Sequence, residues 1–415
     1  MTSPRRRVRL DLATPHPAYV VWELTLRCDH ACTHCGSRAG AARDDELNTT
    51  EALAVADQLA EMGTREVVLI GGEAYLHAGF LDVIARLAER GIVPILTTGG
   101  RGVTPELARD MAAAGLKRVS VSIDGLEATH DAMRSQRGSF SRALAALAAA
   151  REAGLRIAAN TNLNRFNHRD LEGLFEVLRE RGIFGWQVQL TTPLGRAADR
   201  TNMVLQPWDL LDVIPRVAAL KARAREAGIE LFPGNNLGYF GPEEGTLRSP
   251  RAGVAEHFQG CQAGRFVLGI ESDGGVKGCP SLQSSHYIGG HLRERPLREI
   301  WDDTPELAFA RSRTREDLWG FCRECVFADT CRGGCTFTAH ALLGRPGNNP
   351  YCHYRAREFA KRGLRERLVP VEEAPGLPFD NGRFELVEEP VGASDPGALV
   401  QHERLVQLTS RSGRA

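Results

Sequence analysis

The chain has 415 residues, 42% hydrophobic and 25% charged, and its 52 Lys+Arg are balanced by 52 Asp+Glu. Those values support a large core, and the charge balance leaves no basic field for nucleic acid. No apolar run reaches the roughly eighteen residues of a membrane span, so a membrane is not an expected partner either. Residues 1–17 read as an N-terminal tail: Arg5, Arg6 and Arg7 are followed by no secretory apolar region. A β–α alternation then begins. Short apolar or β-branched runs predict strands over 19–25, 66–71, 93–98, 117–124, 156–162 and 186–191. Apolar residues at three- and four-residue spacing predict helices over 50–62, 80–90, 105–114, 140–153, 170–181 and 208–227. Gly63, Gly91, Gly115, Gly154 and Gly182 supply stop signals for five of them. Such units suggest a parallel sheet with its chemistry at the strand C-terminal ends.

The pattern changes after residue 230. Residues 231–260 read as a turn-rich bridge, with Pro233, Gly234, Asn235 and Asn236 near its start. Seven of the ten cysteines lie between Cys261 and Cys352. Residues 366–415 read as a C-terminal extension, Pro- and Glu-rich and then polar from Gly392, in part flexible.

The other three cysteines form Cys28-x3-Cys32-x2-Cys35, directly after the first predicted strand. A disulfide framework fits an odd set in a chain without a secretory signal poorly. Zinc would need a fourth ligand, which His30 or His34 could supply. Three thiolates can also hold three irons of a four-iron cluster and leave the fourth open. Cysteines used for metal rather than disulfides point to a reducing cytoplasm.

This loop resembles the signature of the radical S-adenosylmethionine (SAM) enzymes, and the likeness runs from about residue 18 to 365. It implies an α/β fold, a partial (β/α)6 barrel over residues 18–230. It also implies that Cys28, Cys32 and Cys35 hold a 4Fe-4S cluster whose open iron chelates SAM. Such clusters cleave SAM to a 5′-deoxyadenosyl radical that abstracts hydrogen from substrate. A reductant such as flavodoxin or ferredoxin is then expected. His34 takes the place of the family's aromatic residue near the adenine. Gly71, Gly72 and Glu73 resemble the family's G-G-E segment at the SAM amino group, with Ala74 where proline is usual. Thr97, Thr98, Gly99 and Gly100 resemble T-T-N-G, with Gly99 replacing the asparagine. Ser122, Asp124 and Arg134 match an S-x-D-G segment with a downstream arginine. Ser122 and Arg134 are candidates for the SAM carboxylate or ribose, although Arg134 would equally serve as an ion-pair partner of Asp124 or Asp131. Asn160 and Gln189 sit on the fifth and sixth strands, where inward amides suit either an adenosyl group or an interior hydrogen bond.

The second set reads Cys261-x12-Gly274-x4-Cys279, then Cys322-x2-Cys325-x5-Cys331-x3-Cys335, then Cys352. A pair of zinc knuckles is the plainer reading of the Cys322–Cys325 spacing. The whole resembles the SPASM pattern, which implies a small cysteine-rich domain over 261–365 that binds auxiliary iron–sulfur clusters. The resemblance gives Cys322, Cys325, Cys331 and Cys352 to a distal cluster. It gives Cys261, Cys279 and Cys335 to a proximal one that lacks a fourth cysteine. Three 4Fe-4S clusters follow in all.

The expected substrate is a ribosomally made precursor peptide. Cys28 lies too early for an N-terminal winged-helix domain, so a separate leader-peptide-binding protein is an expected partner. Every cysteine is assigned to a cluster, so no thiol is spare to return hydrogen. That favours net oxidation: an oxidative crosslink, thioether or C–C, ahead of backbone fragmentation with tyramine excision, or epimerisation. A small-molecule dehydrogenase and a non-catalytic zinc scaffold are the other readings. Pro280 and Ser281 follow Cys279 where the sulfatase-maturating relatives carry aspartate, which disfavours formylglycine formation.

Overall fold

The computed structural model describes residues 14–249 and 256–395. Residues 1–13 of the expected tail and the polar stretch beyond 395 lie outside the described residues. The first half alternates strand and helix: β1 (Tyr19–Glu23), α1 (Thr49–Glu61), β2 (Glu66–Ile70), α2 (Phe80–Glu89), β3 (Val93–Thr98), α3 (Pro105–Ala113), β4 (Arg118–Ser122), α4 (Glu127–Arg134), α5 (Ser139–Glu152), β5 (Arg156–Leu163), α6 (Leu171–Glu180), β6 (Gly185–Leu190), α7 (Leu210–Glu226) and β7 (Glu230–Pro233). Local sequence sets several starts. Asn48 and Glu51 form a reciprocal capping box at α1, and Thr104 caps α3 with Pro105 in its first turn. Strands β1 to β7 pair in parallel, each with the next.

The sheet is wider than the six strands expected. The bridge from residue 231 begins inside β7, which pairs with β6. On the other side β8 (Val267–Ile270) pairs in parallel with β1, and β9 (Gly275–Lys277) and β10 (Ile288–His291) continue antiparallel. The segment that follows Cys261 thus extends the sheet of the first half. The C-terminal extension is not wholly irregular. Strands β11 (Leu364–Glu372) and β12 (Arg383–Pro390) form a separate antiparallel hairpin.

The two faces of the sheet differ, because side chains alternate along a strand. Val20, Trp22, Val67, Leu69 and Leu96 belong to the main core with the helices. Val21, Val68 and Ile95 form a separate apolar cluster on the inner face. Across β5 and β6 the inner positions are amides: Asn160 pairs in register with Gln187, and Asn162 with Gln189. The chamber is therefore apolar along β1–β3 and polar along β4–β6. Among the described residues no helix is long and apolar enough to cross a membrane.

Candidate functional site

The cysteine loop leaves the end of β1 and is braced by three neighbours. Gly72 N–H donates to Thr25 O at 2.7 Å, and Glu73 N–H to Arg27 O at 2.8 Å. A Cβ at Gly72 would lie 2.2 Å from Arg27 O, so only glycine permits this approach. Thr33 is held through its N–H on Met133 O at 2.8 Å, at the end of α4. Arg196, in the loop after β6, donates to Cys32 O at 2.7 Å and to Ala39 O at 3.0 Å. Burial pushes the Cys28 thiol up to about 12 and raises Cys32, against the pull of Arg134 on the latter. Thiolates in that setting need a compensating cation, which iron supplies when bound.

Buried charge surrounds the loop. Arg134 Nη2 donates to Asp124 Oδ2 at 2.5 Å, and its Nη1 lies 3.5 Å from Cys32 Sγ. His34 Nε2 sits 3.2 Å from the same carboxylate oxygen. Asn162 N–H donates to Asp124 Oδ1 at 2.9 Å. Burial alone would raise the Asp124 carboxyl, but Arg134 and His34 hold it far below the usual carboxylate range. Asp124 is fully buried, with Oδ2 on Arg134 and His34 and Oδ1 on the Asn162 N–H. It anchors Arg134 and His34. Both of those keep a buried unpartnered nitrogen, Arg134 Nε and His34 Nδ1.

Glu73 is fully buried at the end of β2. It accepts from Thr98 Oγ1 at 2.5 Å and from Gly99 N–H at 2.7 Å. Burial lifts its carboxyl to about 7 against those two donors. His30 and Asp29 stand beside it. Both ring nitrogens of His30 and Oδ1 of Asp29 are buried without a hydrogen-bond partner, and His30 Nε2 lies 3.7 Å from Asp29 Oδ1. A Cβ at Gly99 would fall 2.8 Å from His30 Nε2 and 2.9 Å from Glu73 Oε1. The glycine in place of the family's asparagine therefore makes room for His30. From the sequence His30 stands out only as a possible fourth zinc ligand and Asp29 not at all, since nothing local separates them from any loop polar pair.

Ser122, Asn160 and Gln187 share one level of the inner face. Gln189 Nε2 donates to Asn162 Oδ1 at 2.7 Å, so Gln189 is half-committed within the wall. Three thiols beside half-used buried donors and acceptors fit a cluster with one open iron. The same ring fits a zwitterionic ligand with an ammonium and a carboxylate.

The remaining thiols divide into two sets. Cys261, Cys279 and Cys335 lie within electrostatic reach of one another. Cys322, Cys325, Cys331 and Cys352 form the other set. Burial pushes Cys279 up to about 12 and Cys335 to about 11. Tyr239 is buried between the sets: its hydroxyl donates to Asn235 O and accepts from Cys335 N–H at 3.2 Å. A Cβ on Gly269, an inner position of β8, would meet Pro280 N at 2.6 Å. The chain just after Cys279 is therefore pressed onto the inner face, beside β1. The chain sorts ten buried or half-buried cysteines into groups of three, three and four, all as free thiols.

A parallel α/β chamber with a three-cysteine loop at its mouth, continued by a cysteine-rich segment, defines an iron–sulfur SAM enzyme. The model of the radical SAM superfamily matches residues 22–178, and that of the SPASM iron–sulfur cluster-binding domain matches residues 261–326. The chain is 30% identical over 403 residues to the mycofactocin maturase MftC of Mycobacterium tuberculosis, covering 94% of this chain and 95% of that protein. It is 31% identical over 352 residues to an AdoMet-dependent heme synthase of Methanosarcina barkeri, covering 82% and 98%. The fold is shared with Streptococcus suis SuiB bound to S-adenosylmethionine, with a TM-score of 0.63 at 16% identity over 81% of this chain and 76% of that one. The chain belongs to the radical SAM superfamily and carries a SPASM domain; it is an enzyme that uses SAM and iron–sulfur clusters.

Proposed function

We propose that this enzyme abstracts a hydrogen atom from a ribosomally made precursor peptide and closes an oxidative crosslink in it. The observation that carries the oxidative reading is the sorting of all ten thiols, which leaves none to return hydrogen to a substrate radical. The two tyrosines that would be alternative donors have engaged hydroxyls, Tyr75 on Asp29 at 2.8 Å and Tyr239 on Asn235. The likeness to MftC over most of both chains supports a peptide as substrate. The reaction belongs in the reducing cytoplasm, with a flavodoxin or ferredoxin as electron donor.

In this reading Cys28, Cys32 and Cys35 hold the SAM cluster, and the other seven hold two auxiliary clusters, three 4Fe-4S clusters in all. When bound, the SAM cluster would supply the one electron that reductive cleavage of SAM requires. Arg134 and His34, fixed by Asp124, face the SAM carboxylate. Glu73, which accepts from Thr98 and Gly99, would hold the SAM ammonium together with His30, with Gly71 and Gly72 letting the backbone come close. Ser122, Asn160 and Gln189 line the adenosyl side.

Mass spectrometry of the co-expressed precursor tests the reading. A product lighter by two hydrogens is expected. Unchanged mass with deuterium taken up from heavy water at a Cα would mean epimerisation instead. A second reading, chemistry on a haem-type macrocycle, is favoured by the heme synthase at 31% identity. Turnover of an iron porphyrin precursor with no effect on any peptide would select it.

A further inference from the structure

The β11–β12 hairpin lies outside the residues matched by either family model. Its tip reaches back to the mouth of the chamber. Phe379 N–H donates to Gly36 O at 3.1 Å, one residue past Cys35. Gly195 N–H, in the loop after β6, donates to Asp380 O at 2.7 Å. Arg38 donates to Asp380 Oδ1 at 2.8 Å and takes both oxygens of Asp199 at 2.6 and 2.7 Å. Lys277 Nζ stands 3.6 Å from the centre of the Phe379 ring. That lysine is two residues before Cys279 and is itself held by Glu271 at 2.6 Å and Leu282 O at 2.7 Å.

One short tip therefore ties together the SAM-side cysteine loop, the loop after β6 and the strand leading to Cys279. The backbone is bent to achieve this. Arg38 and Phe379 both hold positive φ, 50° and 54°, a region that disfavours residues with a Cβ. The tip turns Phe379 inward, 7% exposed, and leaves Leu377 63% exposed.

We propose that this tip is a solvent seal for the radical reaction, and that Phe379 is the residue that closes the gap between the cysteine loop and the Cys279 strand. A primary carbon radical takes a hydrogen atom from any thiol that reaches it, so exclusion of small molecules is needed for productive transfer. The proposal rests on the radical SAM assignment and is independent of the peptide reading.

The test uses the full-length, iron-loaded enzyme in heavy water with SAM, dithionite and dithiothreitol, and no substrate. Dithionite supplies the electron that cleaves SAM to methionine and the radical. A dithiothreitol molecule that enters gives a deuterium atom from its S–D bond, forming deuterated 5′-deoxyadenosine and a thiyl radical. In Phe379→Ala the deuterated fraction of 5′-deoxyadenosine should rise at least threefold over wild type at equal iron content. A bulky anionic ferrous chelator should also strip iron severalfold faster from this variant. A deuterated fraction equal to that of wild type at full iron content overturns the proposal. If Phe379→Ala fails to load iron, Phe379→Leu, which keeps an apolar side chain, is read by the same criterion.

Discussion

Around Cys28, Cys32 and Cys35 the buried neighbours are ions and ion partners: Asp124, Arg134, His34, Glu73 and His30. Around Cys261 and Cys279 apolar and aromatic side chains pack, Ala263, Leu282, Tyr287, Phe309 and Phe337, and the buried charges nearby, Lys277 and Glu271, are paired with each other at 2.6 Å. Both sites offer three thiols, so ligand count does not separate them. The first setting can receive a zwitterion, because its charges are already desolvated and half-paired. In the second, Glu271 is already committed to Lys277 and Arg43, and the rest of the wall is largely apolar. The difference is that the first triad is set among desolvated charges that keep atoms without a hydrogen-bond partner, as a zwitterionic ligand requires.

The largest expected effect comes from deleting each triad. Cys28, Cys32 and Cys35 changed together to alanine should leave about eight of about twelve irons, by the cluster types involved, and abolish SAM cleavage. The triple variant at Cys261, Cys279 and Cys335 should lose a similar amount of iron yet still bind SAM. If the second variant loses SAM binding as completely as the first, the contrast between the sites fails. Iron analysis and equilibrium SAM binding read both.

Arg134→Met should come next. It strands the Asp124 carboxylate in a fully buried position, at a cost of about 3–5 kcal/mol, and removes a donor next to Cys32. Thermal unfolding and SAM affinity should both fall, the latter at least tenfold. Its counterpart at the proximal site is Tyr287→Phe, which removes only the 2.8 Å hydrogen bond to His340 Nδ1. That should cost about 1 kcal/mol and leave SAM affinity unchanged.

Gly72→Ala sharpens the same comparison through the backbone. The added methyl meets Arg27 O at 2.2 Å, so the loop must shift, at about 1–3 kcal/mol for overpacking. Iron at the SAM site should be lost selectively, with the auxiliary iron retained. Site-resolved paramagnetic resonance of the reduced protein would show this.

The smallest effect lies where the two regions join. Glu51 caps α1 and takes Arg293, from the segment after β10, at 2.6 and 2.8 Å. These bonds lower its carboxyl from 4.5 to about 2, led by the Arg293 contact. A depressed carboxylate stabilises above its unfolded value and loses that contribution as pH falls from about 4.5 towards 2. Glu51→Gln keeps an acceptor for the Asn48 N–H and removes the charge, so it should cost about 0.5–1 kcal/mol at pH 7, as a weakened exposed ion pair. The gap from wild type should narrow in unfolding experiments between pH 5 and 3. An unchanged gap over that range would show that the Glu51 charge does not carry the effect.

The sequence by itself determined the chemistry. Cysteine spacing is local, and so are the strand and helix periods of the first half, so six strands and their helices were legible to within a residue or two. It did not yield α4, whose buried face is His130, Met133 and Arg134 and so carries no apolar period. It also missed β7 and β8, four residues each, too short for alternation to stand out. Only the tertiary structure decided that β8 pairs with β1, that Asp124 anchors Arg134 and His34, and that His30 fills the space left at Gly99. The same holds for the hairpin tip over the cysteine loop, where Arg38 meets Asp380 across 342 residues of chain. Such contacts have no local signature, because the free energy that selects them is burial and charge pairing between segments that only the folded chain brings together.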